Sequence, residues 1–224
     1  MKTNRYDIFQ SISQREDRTL SEEDAKLVSI ANDIIRTARD GRKDEAESST
    51  CSVNVIELNE IEQRAAENWA KCHNCWIPIS KIFDIGVPGP SGSESDTYIG
   101  ADGYVYKQNN LLHTAGSIVE AITRFLMHNL IFPDTAYQFV AFTGFAGRSI
   151  YPVIRQQFIK GGTPATQNEI DCYMSAIGFS KMDVGKFCNE EFIVSDLLPK
   201  NVFRDQTGDI LIIDAEIKKK YREE

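Results

Sequence analysis

Val194-Ser195-Asp196-Leu197-Leu198-Pro199-Lys200-Asn201, followed by Val202-Phe203-Arg204, the turn Asp205-Gln206-Thr207-Gly208 and Leu211-Ile212-Ile213-Asp214, is the stretch on which the fold turns. Asp205 to Gly208 has turn chemistry between two apolar runs, so Val202 to Arg204 and Ile210 to Ile213 are predicted as the strands of a hairpin. Such a hairpin brings Asn201 and Asp214 to its two ends, where oxygen ligands can converge on a hard cation. Asp196 lies one loop turn earlier.

Working back along the chain, a second hairpin is predicted at Asp102-Gly103, between Tyr98-Ile99 and Tyr104-Val105-Tyr106-Lys107. Strand side chains alternate, so Val105 and Lys107 share one face and Tyr104 and Tyr106 the other. Before it runs the small-residue loop Gly86 to Glu94. After it, Ile118, Val119, Ile122, Phe125, Leu126 and Leu130 predict a helix from Thr114 to Ile131, stopped by Pro133. Gln138 to Phe142 and Ile150 to Ile159 read as strands about the Gly144 to Gly147 turn. Thr166 with Glu169 caps a further helix closed at Gly178, and a mostly helical stretch is expected until Phe192.

The N-terminal quarter is simpler. Ser21-Glu22-Glu23-Asp24 starts an amphipathic helix reaching about Arg39, and Asp40 to Ser52 reads as a polar linker. Asn54 with Glu57 begins another helix along Leu58, Ile61, Ala65, Trp69 and Cys72. The expected division is therefore residues 1–55 as a helical extension and linker, 56–158 as a first lobe with its leading helix, and 159–224 as a second lobe.

The 224 residues are 42% hydrophobic, enough for a substantial core. A formal charge of -8 disfavours nucleic acid as a ligand. No apolar window reaches membrane-span length and no secretory signal is evident, so a cytoplasmic protein without membrane contact is expected. Five dispersed cysteines do not suggest a secreted disulfide framework. Cys72-His73-Asn74-Cys75 has metal-ligand spacing, but no second pair follows to complete a zinc site.

Phosphoryl transfer needs a cation for the phosphates, bound metal and a group that orients the acceptor hydroxyl. A strand Lys, a helix Glu, Asp-x-x-x-x-Asn and a later Asp occur here in that order. From about Trp76 onward the chain resembles the small kinase-like domains found in polyvalent proteins of phages and conjugative elements. The resemblance rests on His128-Asn129-Leu130-Ile131-Phe132-Pro133 and Tyr137, Gln156-Gln157-Phe158, Ala165-Thr166 with Glu169-Ile170, Gly178-Phe179 and the Asp196 loop. It implies an α+β, minimal two-lobed kinase-like fold: an antiparallel β N-lobe with one helix and a reduced helical C-lobe with a β-hairpin, preceded by N-terminal helices, with ATP held between the lobes.

By the same resemblance Lys107 engages the phosphates, with Glu120 as its partner or Glu94 as the alternative. Gly89, Gly92, Ser93 and Glu94 belong to the loop covering the phosphates, and Val105 touches adenine. Gln157, Phe158 and Ile159 form the hinge. Asp196 is base or orienter, and Asn201 and Asp214 hold Mg2+. The chain departs from the kinase pattern in Val194-Ser195 before Asp196 and in Ala215-Glu216 after Asp214. Ten residues follow Asp214, to position 224, so no activation segment of the usual kind is expected. Two functions follow: an Mg-ATP-dependent kinase acting on a protein hydroxyl, its own included, or a pseudokinase that serves as a protein-binding module.

Overall fold

The computed structural model describes residues 5–46 and 55–220. The chain divides into a first unit, Met1–Leu126 with Tyr137–Gln156, and a second, Met127–Ala136 with Gln157–Glu224.

In the first unit, α1 (Arg5–Ser13), α2 (Glu22–Ala46) and α3 (Val55–Cys72) lead. Ser21 caps α2, its Oγ accepting from the Asp24 amide at 3.0 Å. Leu27, Ile30, Ala31 and Ile34 are fully buried along one stripe of α2, which packs on α3. Each of the Leu and Ile side chains contributes about 1.5–3 kcal/mol by leaving water. Two expectations change. Helix α1 was not anticipated, and the linker expected from Asp40 is helical through Ala46. The rest of that linker and the Asn54 cap lie outside the described residues.

A five-stranded sheet follows, in the order β1-β2-β3-β5-β4: β1 (Val87–Pro88), β2 (Ser95–Ile99), β3 (Tyr104–Asn109), β4 (Gln138–Phe145) and β5 (Ser149–Gln157). The hairpin at Asp102-Gly103 forms as read, with Gly103 at φ +86° and Ile99 opposite Val105. Tyr104 and Tyr106 share a face: the Arg155 guanidinium lies 4.1 Å from the Tyr104 ring centre, and Tyr106 donates to Asp102 at 2.6 Å. Strand β1, unanticipated, pairs antiparallel with β2, so the small-residue loop is a strand-to-strand connection. Helix α4 (Ile118–Ile131) starts after Ser117, whose Oγ accepts the Glu120 amide at 3.1 Å.

The second unit contains β6 (Thr163–Pro164), α5 (Gln167–Ala176), β7 (Ser180–Asp183), β8 (Lys186–Cys188), β9 (Phe192–Ser195), β10 (Val202–Arg204), β11 (Ile210–Ile212) and β12 (Glu216–Lys219). The capping box of α5 is complete: Thr166 Oγ1 accepts the Glu169 amide, and Glu169 Oε2 accepts the Thr166 amide at 2.7 Å. The reduced helical lobe expected here is corrected, because the unit is mainly strands. Positions expected to be helical before Phe192 form the β7–β8 hairpin, closed by Gly185 at φ +64°. Phe187 pairs with Val194 across to β9, and both are buried, which is the period-2 pattern of a strand. The sheets run β12-β9-β8-β7 and β11-β10-β6. Lys218 and Lys219 lie in β12 beside buried Ile217. No described helix is long and apolar enough to cross a membrane.

Candidate active site

In the first unit, Lys107 sits in β3 opposite Thr97 and is only 9% exposed. A buried ammonium needs compensation. Its Nζ lies 3.5 Å from the Tyr137 hydroxyl and 5.0 Å from the ring centre, so the phenol oxygen is the nearer group. Tyr137 is buried and meets Phe125 of α4 edge-on at 5.5 Å.

The acidic partners expected for Lys107 are elsewhere. Glu120 pairs with Arg124, one helical turn on, at 3.4 Å. Glu94 pairs with His113 at 2.8 Å and with Arg124 at 3.8 Å. Both are partly exposed, and Arg124 draws them to the solvent edge of α4, which corrects the Lys107–Glu120 pairing. Val105 shares the Lys107 face and is half-buried.

The loop from Gly89 to Glu94 joins β1 to β2, but its backbone is partly engaged internally. The Gly89 amide donates to Thr97 O and the Gly92 amide to Ser95 O, while Asn110 Nδ2 donates to Ser93 O. The two glycine amides therefore do not face outward to a phosphate, as the sequence suggested they would. Downstream, Gln157 and Phe158 are exposed and Ile159 is half-buried.

In the second unit the Asp196 loop leaves β9 and returns at β10. Asp196 has φ +60°, a left-handed conformation that Asp tolerates better than most residues but that still carries strain. Asn201 holds it there, its Nδ2 donating to Asp196 O at 2.9 Å and to Oδ2 at 2.8 Å. Lys200 Nζ lies 3.2 Å from Oδ1. Fully buried Leu197 anchors the loop, its amide donating to Gly185 O. The Ile213 amide donates to Asn201 O, so Asp214, exposed just beyond β11, lies one residue past the Asn201–Ile213 link. Asn201, Asp196 and Asp214 are thus grouped by one hairpin.

This set can take Mg2+. With its amide turned to Asp196, Asn201 keeps an Oδ1 that makes no hydrogen bond among the described residues, and Asp214 adds a carboxylate. Magnesium takes one or two protein oxygens and completes its shell with water and phosphate. No cluster of three or more His, Cys, Asp or Glu is placed to hold a metal among the described residues. At the end of α3, His73 stacks on Trp69 at 4.2 Å and the Cys75 thiol donates to His73 O.

Sequence reasoning gives no role to Glu62 and names His128 only among the residues that carry the resemblance. Glu62, fully buried on α3, accepts from Tyr6 Oη at 2.9 Å, Ser117 Oγ at 2.7 Å and the Val119 amide at 3.2 Å, with Arg5 at 3.4 Å. It supplies a carboxylate to the N-terminus of α4. His128 is buried with Nε2 3.2 Å from Thr135 O, and Thr135 donates to Ile212 O at 2.5 Å. Both contacts are long-range or tertiary, and no local pattern announces them. In the second unit Asp134, Glu169, Asp205 and Asp209 also line a hollow of about 720 Å³ with Tyr173 and Ile210. None of the expected site residues line it, and burial raises the Tyr173 hydroxyl pKa.

A family model described as "Serine/Threonine/Tyrosine Kinase found in polyvalent proteins" matches residues 59–221. The match takes in the strand lysine, α4 and the whole Asp196 to Asp214 segment, and leaves α1 and α2 outside. No curated protein matches the chain. With most of its length matched and the Asp196–Asn201 loop in place, the chain belongs to the serine/threonine/tyrosine kinase family found in polyvalent proteins.

Proposed function

We propose that the protein is an Mg-ATP-dependent phosphotransferase whose acceptor is a hydroxyl on a protein, its own chain included. The observation that carries this reading is the double hydrogen bond from Asn201 to Asp196, which orients one carboxylate and leaves an amide oxygen for a cation. Asp196 orients the acceptor hydroxyl and takes its proton as the acceptor oxygen bonds to the γ-phosphorus. The bond from that phosphorus to the β,γ-bridging oxygen breaks, and ADP leaves. Lys107 supplies positive charge to the α and β phosphates. Bound Mg2+ supplies neutralisation of the phosphate charge, with Asn201 Oδ1 and Asp214 as its protein ligands. Val105 on the adenine and the Gln157 to Ile159 segment as hinge complete the nucleotide assignment.

A nucleotide-linked protein-binding module is the second reading. It is favoured by the Glu120–Arg124 pair and by the internal use of the Gly89 and Gly92 amides, which leave the phosphate side less prepared. In either case the partner is a protein, in the setting of a mobile genetic element. The free thiols of Cys72, Cys75, Cys172 and Cys188 support a reducing, cytoplasmic location.

Thermal unfolding of the purified chain with ATP and Mg2+ tests nucleotide use. At 100-fold saturation the Tm should rise by about 5–10 °C, and Asp214→Asn should lose most of the magnesium-dependent part. An unchanged Tm would sink both nucleotide readings. A shift without phosphate transfer to the chain itself or to proteins of a lysate would favour the binding module.

A further inference from the structure

We infer that Ser195 and Glu216 form a clasp that positions Asp196 and Asp214 relative to each other, the hydroxyl of the first donating to the carboxylate of the second. For its consequence in catalysis the inference rests on the phosphotransferase reading, whereas its geometry stands on the second unit alone.

The two places where the chain departs from the kinase pattern, Val194-Ser195 before Asp196 and Ala215-Glu216 after Asp214, meet in the structure. Strands β9 and β12 pair antiparallel, with Val194 opposite Ile217 and Ser195 opposite Glu216. Val194 and Ile217 are buried on one face, and the alternation of a strand puts Ser195 and Glu216 on the other, where both are half-buried. There Ser195 Oγ donates to Glu216 Oε2 at 3.0 Å, nearer than the Glu216 carbonyl oxygen at 3.4 Å. Lys218, two positions along the same strand, lies 2.8 Å from the other carboxylate oxygen, Oε1. A hydroxyl donating to a carboxylate makes a charge-assisted bond, stronger than one between neutral groups.

The clasp closes one end of a small frame. At the other end the Ile213 amide donates to Asn201 O at 2.9 Å. Asp196 lies along one side of the frame, directly after Ser195 and tied to Asn201 by that side chain's two bonds. Asp214 lies along the other, between Ile213 and Glu216. Ser195 is the last residue of β9 and Glu216 the first of β12, so theirs is the terminal rung of the ladder. A terminal rung is the part of a ladder that opens most readily, and a side-chain tie across it resists that opening. Locking it holds the two carboxylates in a fixed relation, as a hydroxyl-orienting group and a metal ligand acting on one phosphoryl group require. Ser195 and Glu216 act in this through Asp196 and Asp214, as positioning residues.

The test compares wild type, Ser195→Ala and Ser195→Thr as full chains. Amide hydrogen exchange without nucleotide should be several-fold faster in Ser195→Ala over the peptide from Ile213 to Ile217. Ser195→Thr, which keeps the hydroxyl on a side chain suited to a strand, should exchange at the wild-type rate. Glu216→Ala should speed exchange less in the Ser195→Ala background than in wild type, because the shared bond is already gone. In transfer assays Ser195→Ala should lower kcat by about tenfold and raise the Mg2+ concentration for half-maximal rate, at a Tm within a few degrees of wild type. A merely structural loss would lower the Tm and leave the magnesium dependence unchanged. Ser195→Thr should restore both kinetic values. Wild-type exchange in Ser195→Ala, a defect that Ser195→Thr does not restore, equal effects of Glu216→Ala in both backgrounds, or an unchanged kcat and magnesium dependence in a chain that transfers phosphate would overturn the inference. If wild type transfers no phosphate, the phosphotransferase reading fails, and the exchange result still decides whether the clasp holds the Asp214 segment.

Discussion

Asn201 donates one side-chain amide to both the backbone carbonyl and the carboxylate of Asp196, at 2.9 and 2.8 Å. A residue in a left-handed conformation is thereby held by a neighbour five positions on, across the bend that Pro199 helps to make. Asn201→Ala removes both bonds and the amide oxygen available to a cation. Transfer should fall at least 100-fold and unfolding stability by about 1–3 kcal/mol. Asn201→Asp should be as inactive, because its carboxylate would face that of Asp196. Rates and denaturant midpoints measured together separate the chemical loss from the structural one.

Gly185 tests the support behind that loop. It sits at φ +64°, and a Cβ there would lie 2.9 Å from Leu198 Cδ2 and 3.0 Å from Leu197 O. Gly185→Ala should cost about 1–2 kcal/mol from strain and displace the residues next to Asp196. Transfer should drop more than stability does, with KM for ATP little changed. Equal losses in Gly178→Ala, where φ is +87° but a Cβ meets nothing within 4 Å, would contradict a specific effect on the loop.

Glu62 joins three segments of the first unit, from Arg5 and Tyr6 to Ser117 and Val119. Glu62→Ala removes the acceptor that Tyr6, Ser117 and the Val119 amide share at a buried position. A loss of about 3–5 kcal/mol is expected in chemical denaturation. Tyr6→Phe, which removes one of the donors, should cost about 1 kcal/mol. A loss below 1 kcal/mol for Glu62→Ala would contradict the capping role.

Acid stability has a defined contributor at Glu67. Its carboxyl is held below the ordinary 4.5, first by the hydrogen bond from Lys71, against burial, and then by the Gly147 amide. The folded value is the lower one. Glu67 therefore contributes stability above about pH 4.5 that is lost as the pH falls through the folded value. Glu67→Gln should flatten the acid limb of the stability curve while leaving its slope above neutrality unchanged, as read by urea unfolding across pH. An unaltered acid limb would contradict this.

What was legible in the sequence was local. The Asp102-Gly103 hairpin, the α5 capping box and the β10–β11 hairpin each carry their signal within a few residues, and each forms. Short strands escaped: β1 has two residues, and in β7 the exposed Lys181 and Met182 give no apolar alternation to read. The β7–β8 stretch differs from the helix that its sequence suggests, because Gly185 at φ +64° makes a turn there. At the site, the Asp196 to Asp214 grouping could be read because one hairpin builds it. The partners of Lys107 could not, since whether Glu120 turns toward a strand lysine or toward Arg124 depends on packing of α4. Tyr137 and Glu62 act across 30 and 55 positions of chain, the second reaching Ser117, and such contacts have no sequence periodicity.

The most direct measurement is transfer of labelled γ-phosphate from ATP by the purified full chain with Mg2+, alone and with lysate proteins, comparing wild type with Asp196→Ala and Asp214→Asn. The account predicts label on a protein hydroxyl with wild type and at least a 100-fold loss in either variant. No transfer by wild type, or transfer that Asp196→Ala and Asp214→Asn leave intact, would contradict it.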